Sequence, residues 1–321
     1  MQLLPTKSLY YDDVNLIAQP QPFISSRAEV IPALHKVIVA PMESVVGKEF
    51  AIEAVRLGLS VCLHRFESVE TQLDIYKSLN FQSNNNKAWI AVGLNDWHRV
   101  DKILKEVQNP HLLVEVANGY LKGVVDFTKK LYEMGCSTMV GNVHSGDGIK
   151  QYQDAGIKDC LIRVGIGGGS VCKTSVVTGF TRGSITELAE CVHIANSDQY
   201  CGISVVADGG IRASGEAIKA FGAGAHYVMM GGYFSKANEA QNAIEGTFKY
   251  WGGASAYQQE RLHKKPNHVE GVVKQNDKED YGSLEFLVKK LWDGISSGVS
   301  YSGYPTLEGF IGNGTFEEKA R

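Results

Sequence analysis

Cysteine is scarce and scattered in this chain. Six occur in 321 residues, at Cys62, Cys136, Cys160, Cys172, Cys191 and Cys201, and no two form a C-x-x-C pair. Their spacing fits no zinc template. An excess of one charge is also missing. Lys and Arg number 32 against 35 Asp and Glu, a net charge of −3, so no basic field points to nucleic acid. No apolar run approaches the length that crosses a bilayer. Met1–Lys7 carries no signal-peptide apolar core, so a cytoplasmic protein with no membrane partner is the expectation. Internal linkers, low-complexity tracts and domain-sized insertions are absent too.

What is present is ordinary for a globular protein, with 44% apolar and 21% charged residues. The length suits two ordinary domains or one α/β barrel. Eight short apolar runs recur along the chain: 37–40, 60–64, 88–93, 112–117, 137–142, 161–165, 203–208 and 226–231. Amphipathic stretches such as Glu49–Leu57 and Val125–Met134 lie between them. Several helical stretches end in glycine, at Gly58, Gly135, Gly156 and Gly222, as C-caps do. Continuous apolar runs alternating with helices imply parallel strands buried on both faces. Eight such units predict a single (β/α)8 barrel over residues 1–321, with its active site at the C-terminal ends of the strands. The competing fold is a doubly wound open sheet. Its dinucleotide fingerprint is incomplete here, because Gly165-Ile-Gly-Gly-Gly-Ser170 lacks the third glycine and lies mid-chain. The polar segment after the last strand, 256–282, reads as a mobile active-site loop.

Most cysteines read as buried free thiols, and Cys62 and Cys160 lie inside apolar runs. Cys172 differs. It sits in a loop of four glycines, a serine and a threonine that runs off the sixth apolar stretch. Glycines let backbone amides approach an anion, and a cysteine held there is a candidate nucleophile. Asp208-Gly209-Gly210 follows the seventh run and Gly231-Gly232 the eighth, where barrels commonly bind phosphate. The Asp208 carboxylate is suited to a ribose diol. Together these loops suggest covalent chemistry on a phosphorylated small molecule.

These residues resemble the IMP dehydrogenase and GMP reductase family, whose cysteine loop has the form G-I-G-P-G-S-x-C-T-T. Here it reads Gly165-Ile-Gly-Gly-Gly-Ser-Val-Cys-Lys-Thr174. The likeness covers nearly the whole chain: Tyr11-Asp-Asp-Val14, Ala40-Pro-Met-Glu-Ser-Val45, Val116-Ala-Asn-Gly-Tyr120, Gly141-Asn-Val143, Asp208-Gly-Gly210, Ala220–Ala225 and Val228–Gly232. Between His64 and Ala88 there is no room for the paired CBS domains that many dehydrogenases carry. Only 14 residues, 256–269, separate Ser255 from Glu270, and no Arg-Tyr dipeptide occurs to activate water as in the dehydrogenase flap. The chain therefore resembles the reductase branch.

That resemblance implies NADPH-dependent reductive deamination of GMP to IMP. Cys172 would be the nucleophile, with Thr174 and Glu270 as the proton-handling pair. Ser170, Asp208, Gly209, Gly210, Gly231, Gly232, Gly252, Gly253, Ala254 and Gly271 would hold the nucleotide. Ser26, Arg27, Arg65, Glu115, Val116, Ala117, Ile166, Gly167, Tyr301 and Gly303 would hold the cofactor, the two arginines suiting its 2′-phosphate. Carbonyls of Gly165, Gly167 and Cys172 would form a monovalent-cation (potassium) site. A homotetramer is implied as well.

Departures concentrate near the site. Gly168 replaces the loop proline, Glu115 replaces an aspartate, and Asn267 replaces an arginine. Lys173 follows the cysteine, a cation that either favours a thiolate or faces solvent. Gly252-Gly-Ala-Ser255 replaces the family's G-M-S-S base-contact segment. These changes keep a deoxy or modified purine nucleotide open as substrate. A short IMP dehydrogenase and a non-catalytic nucleotide-binding paralogue are the other readings. The presence of Cys172, Thr174 and Glu270 argues against the paralogue.

Overall fold

The structure is a computed structural model, and it describes residues 7–20, 24–79, 87–197 and 202–320. Cys201 and most of the N-terminal segment discussed above lie outside the described residues. Eight parallel strands form a closed barrel. They are β1 (Val37–Val39), β2 (Ser60–Leu63), β3 (Ala88–Val92), β4 (His111–Glu115), β5 (Ser137–Val143), β6 (Cys160–Val164), β7 (Ile203–Asp208) and β8 (Tyr227–Met230). Closure is made where Val37, Ile38 and Val39 of β1 pair with Val228, Met229 and Met230 of β8. All eight apolar runs thus form strands, and the open sheet is excluded.

A helix follows each strand: α1 (Lys48–Arg56), α2 (Val69–Ser78), α3 (Trp97–Glu106), α4 (Lys122–Glu133), α5 (Gly146–Asp154), α6 (Ser184–Ala195), α7 (Ser214–Gly222) and α8 (Leu284–Tyr301). Alternation along the strands divides the core in two. Ile38, Cys62, Trp89, Leu113, Met139, Val206 and Met229 fill the barrel interior. Their neighbours Val37, Val39, Val61, Ile90, Val114 and Val205 face the helices. Each such side chain, fully buried, contributes about 1.5–3 kcal/mol. The interior is therefore a packed plug, which leaves only the strand ends free to build a site.

The helix ends bear out three of the four glycine caps. Gly58, Gly135 and Gly156 have φ of 90°, 81° and 83°, the left-handed conformation of a residue just past a helix. Gly222 does not. It closes the last turn of α7, and Gly224, with φ 101°, takes the left-handed position. Gly222 has a packing reason instead. A Cβ there would lie 3.2 Å from the Gly314 backbone and 3.0 Å from the Phe310 ring.

The segment 256–282 has structure of its own. It contains a helix at Ala256–Arg261, a strand at Val273–Gln275 and a short 3-10 turn at Lys278–Asp280. The strand pairs antiparallel with Lys249–Trp251. Arg261 anchors the segment to the barrel through Glu43 at 3.0 Å and Glu245 at 3.1 Å, and packs on the Trp251 ring.

Candidate active site

A cavity of about 450 Å³ opens at the C-terminal ends of the strands. Ala40, Arg65, Glu115, Asn142, Gly165, Asp208 and Met229 line it, at or just beyond the ends of β1, β2, β4, β5, β6, β7 and β8. Its size falls within the range of small-molecule pockets.

Gly165 turns the chain from β6 into the cysteine loop with φ 134°, and a Cβ there would lie 1.9 Å from the Asp208 carbonyl oxygen. Only glycine fits that crossing. The loop then closes on itself, the Cys172 amide donating to the Gly169 carbonyl at 3.0 Å. A short helix, Thr174–Thr178, follows and ends at Gly179.

The strap at 268–273 runs alongside. The Lys173 amide donates to the Glu270 carbonyl at 2.6 Å, and the Val272 amide to the Val171 carbonyl at 2.9 Å. Gly271 bridges both Cys172 and Ser255. This backbone pairing brings together residues 96 positions apart in the chain. The Cys172 thiol donates to Thr174 Oγ1 at 3.2 Å, and Thr174 Oγ1 donates to Glu270 Oε2 at 2.6 Å. The three side chains form one hydrogen-bonded line from sulfur to carboxylate, and all three border the cavity.

The other described cysteines offer no such setting. Cys62, Cys136, Cys160 and Cys191 are buried. Burial pushes the Cys136 thiol up to about 11 and that of Cys160 up to about 12. Lys173 is exposed and reaches Glu270 through its backbone.

At the cavity floor lies a residue to which the sequence reading gave no role. Arg163, in β6, is 4% exposed. Its guanidinium pairs with Glu115, lies 3.4 Å from Asp208, and donates to Asn142 Oδ1 at 3.2 Å. Burial opposes the charge, but the two carboxylates more than offset it and hold the group above its ordinary value. Asn142 also donates to Asp208 Oδ2 at 2.8 Å and to the Gly165 carbonyl at 2.8 Å. Burial pushes the Asp208 carboxyl above the usual carboxylate range, against the pull of Arg163 and Asn142. A lone arginine in an apolar strand was the available signal, since buried charges must be paired.

Of the expected nucleotide residues, Asp208, Gly209, Gly252, Gly253, Ala254 and Gly271 line the cavity. Ser170, Gly210, Gly231 and Gly232 lie just beyond that lining. A Cβ on Gly232 would meet Ser170 Oγ at 3.3 Å, and one on Gly210 would lie 3.7 Å from the Gly168 carbonyl. Tyr250 completes this corner, its hydroxyl 3.1 Å from Ser170 Oγ, and the sequence reading missed it. Of the expected cofactor residues, Arg65, Glu115, Val116, Ala117, Ile166 and Gly167 line the same cavity, with the Arg65 guanidinium 5.5 Å from the Phe66 ring centre. Ser26, Arg27, Tyr301 and Gly303 do not. Ser26 caps the short turn Arg27–Glu29, Arg27 donates to Ser297 of α8, and Gly303 follows the C-terminal end of α8. In the expected cation site, the Gly165 carbonyl accepts the Asn142 side-chain amide at 2.8 Å, and its second lone pair stays available. Among the described residues no helix is long and apolar enough to cross a membrane.

Barrel and site together define a class: a (β/α)8 enzyme fold with a cysteine on a glycine-rich loop, bordering a cavity at the C-terminal ends of the strands. The sequence model of the IMP dehydrogenase / GMP reductase domain matches residues 8–321, and the chain belongs to that family of oxidoreductases. It is 28% identical over 316 residues to a GMP reductase of Pediococcus pentosaceus, covering 93% of this chain and 92% of that one. It is 29% identical over 318 residues to a GMP reductase of Lactobacillus delbrueckii subsp. bulgaricus, covering 93% and 91%. It is also 30% identical over 272 residues to an inosine-5′-monophosphate dehydrogenase of Staphylococcus saprophyticus. That match covers 76% of this chain and 54% of the dehydrogenase's length.

Proposed function

We propose that the chain reduces GMP to IMP, releasing ammonia and consuming NADPH. The observation that carries this reading is the line Cys172–Thr174–Glu270. A thiol that donates through a hydroxyl to a carboxylate has a route for its proton. Glu270 accepts the thiol proton by way of Thr174, leaving a thiolate to attack C2 of the purine. The C–S bond forms and the bond to the exocyclic amine breaks. The amine leaves as ammonia on taking a proton back along the same line. One proton thus serves both halves of the step. The nicotinamide cofactor supplies hydride to C2 when bound. The C–S bond then breaks and Cys172 leaves as thiolate.

Water is the competing nucleophile for the covalent intermediate, and a dehydrogenase needs it activated. Glu270 is occupied by Thr174 and packed against the cysteine loop through its own backbone. That arrangement supports proton transfer at the leaving amine over activation of water.

The Ser170–Gly232–Tyr250 corner suits the nucleotide phosphate, and Asp208 suits the ribose. Ser26, Arg27, Tyr301 and Gly303 reach a cavity of this kind only if a second copy presents them, which accords with a tetramer. Light scattering tests that. The reaction is tested by following nicotinamide absorbance with GMP plus NADPH and with IMP plus NAD. NADPH oxidation by GMP with ammonia release is the expected result. NAD reduction by IMP, with no NADPH consumed alongside GMP, would overturn it in favour of a short dehydrogenase.

A further inference from the structure

The strap that delivers Glu270 to the cysteine carries a concentration of positive charge that the proposed chemistry does not use. Three of the eight residues 261–268 are Lys or Arg, two more are His, and none is acidic, in a chain whose net charge with His neutral is −3. Arg261 is spent on Glu43 and Glu245. His263, Lys264, Lys265 and His268 are exposed. Among the described residues no carboxylate lies within ion-pair distance of them, or of Arg65 across the cavity mouth. His268 lines the cavity with Arg65.

The loop is held in shape rather than trailing. Gln259 Nε2 donates to the Asn267 carbonyl at 2.9 Å, and the Asn267 amide donates back to Gln259 Oε1 at 2.7 Å. The Lys264 amide donates to the Gln259 carbonyl at 2.9 Å. One glutamine thus clamps both ends of the turn. His263 and His268 take φ of 55° and 47°, the left-handed region, at its entry and exit. Lys264 and Lys265 are displayed between them, and Lys265 lies within about 10 Å of chain from His268 at the cavity wall.

A solvated lysine pair is ordinarily featureless. Here it is clamped, unpaired and continuous with a histidine and an arginine at the mouth of the catalytic cavity. We propose that Lys264 and Lys265, with His268 and Arg65, form a cationic rim that binds the phosphates of the second ligand, the dinucleotide, from within the same chain. This deepens the reductase reading and rests on it. The nucleotide monophosphate has its own corner at Ser170 and Tyr250, so the rim is left for phosphates at the opening.

The test is the double variant K264A/K265A, with both residues exposed and outside the Cys172–Thr174–Glu270 line. The expected result is a rise of about tenfold in KM for NADPH, with KM for GMP and kcat within about twofold, and a shallower salt dependence of kcat/KM for NADPH. A loss confined to NADPH, sparing NADH, places the 2′-phosphate on the rim. An equal loss with both places the pyrophosphate there. Unchanged affinity and salt dependence for both cofactors overturns the proposal, as does a rise in KM for GMP alone. If the wild type consumes no NADPH with GMP, the reductase reading fails separately. Calorimetric binding of adenosine 2′,5′-bisphosphate to wild type and variant then decides the rim, equal affinity overturning it.

Discussion

At the level of single residues, the Thr174 hydroxyl is the joint between sulfur and carboxylate. Thr174→Val keeps the shape and removes the joint. We expect kcat to fall by about 10² to 10⁴, the usual range for a lost proton-transfer partner, with KM for GMP little changed. Glu270→Gln should match it within a few-fold, and the double variant should be no worse than either single one. Additive losses in steady-state kinetics would show that the two act separately. Cys172, Thr174 and Glu270 were all legible in the sequence through the resemblance. Arg163 and Tyr250 were not, because neither lies in a recognisable spacing. A second residue-scale prediction concerns Glu187, in the first turn of α6. It is 4% exposed, and its Oε2 has no hydrogen-bond partner among the described residues. Burial pushes its carboxyl well above the ordinary value. The folded state therefore binds a proton that the unfolded state releases above about pH 4.5, so this group's contribution weakens as pH rises from there. Glu187→Gln lacks that dependence. Its melting temperature relative to wild type should rise between pH 5 and pH 8, and a difference that stays flat would refute the assignment.

At the level of elements, the site depends on loops whose backbones cross too closely for side chains. Gly165→Ala would place a methyl 1.9 Å from the Asp208 carbonyl oxygen at φ 134°. We expect a loss of several kcal/mol, as for other strained or overpacked core substitutions, together with displacement of Cys172 and loss of turnover. Gly156→Ala is the control. That glycine has nothing within 4 Å and only its φ of 83° to oppose the change, so it should cost about 1 kcal/mol with activity intact. Denaturant unfolding of the two variants separates the effects. The strap illustrates why element reading falls short. Residues 256–282 are polar and lack any hydrophobic period, so they read as a mobile loop with no elements assigned to it. Their order comes from backbone pairing with the cysteine loop and with Lys249–Trp251, and from Arg261 reaching Glu43. Such bonds are indifferent to side-chain pattern and leave no trace in it.

For the whole molecule, acid is the predicted weakness. Burial lowers His64 and His111 to about 4, and lowers His35, His144 and His226 as well. The folded protein keeps these imidazoles neutral, whereas the unfolded chain protonates them near pH 6.5. Stability is fully present above that value and is lost as pH falls from 6.5 toward 4. His64 and His111 together should account for roughly 2–4 kcal/mol by pH 5. Chemical denaturation across that range measures it. His64→Gln should flatten part of the slope, and an unchanged slope would remove His64 from the account.

The sequence by itself determined the barrel and singled out Cys172. Eight apolar runs separated by amphipathic stretches have few ways to bury both faces of every strand, and a cysteine among glycines is marked by its neighbours alone. The tertiary structure alone decided which groups Cys172 meets. Glu270 reaches its partner Thr174 across 96 residues, carried there by backbone pairing of the strap with the cysteine loop. Arg163 becomes a paired charge only when β4, β5 and β7 surround β6, and Ser26, Arg27, Tyr301 and Gly303 turn out to lie away from the cavity. Those outcomes depend on distances between residues far apart in the chain, and closure of the barrel sets such distances while local pattern does not.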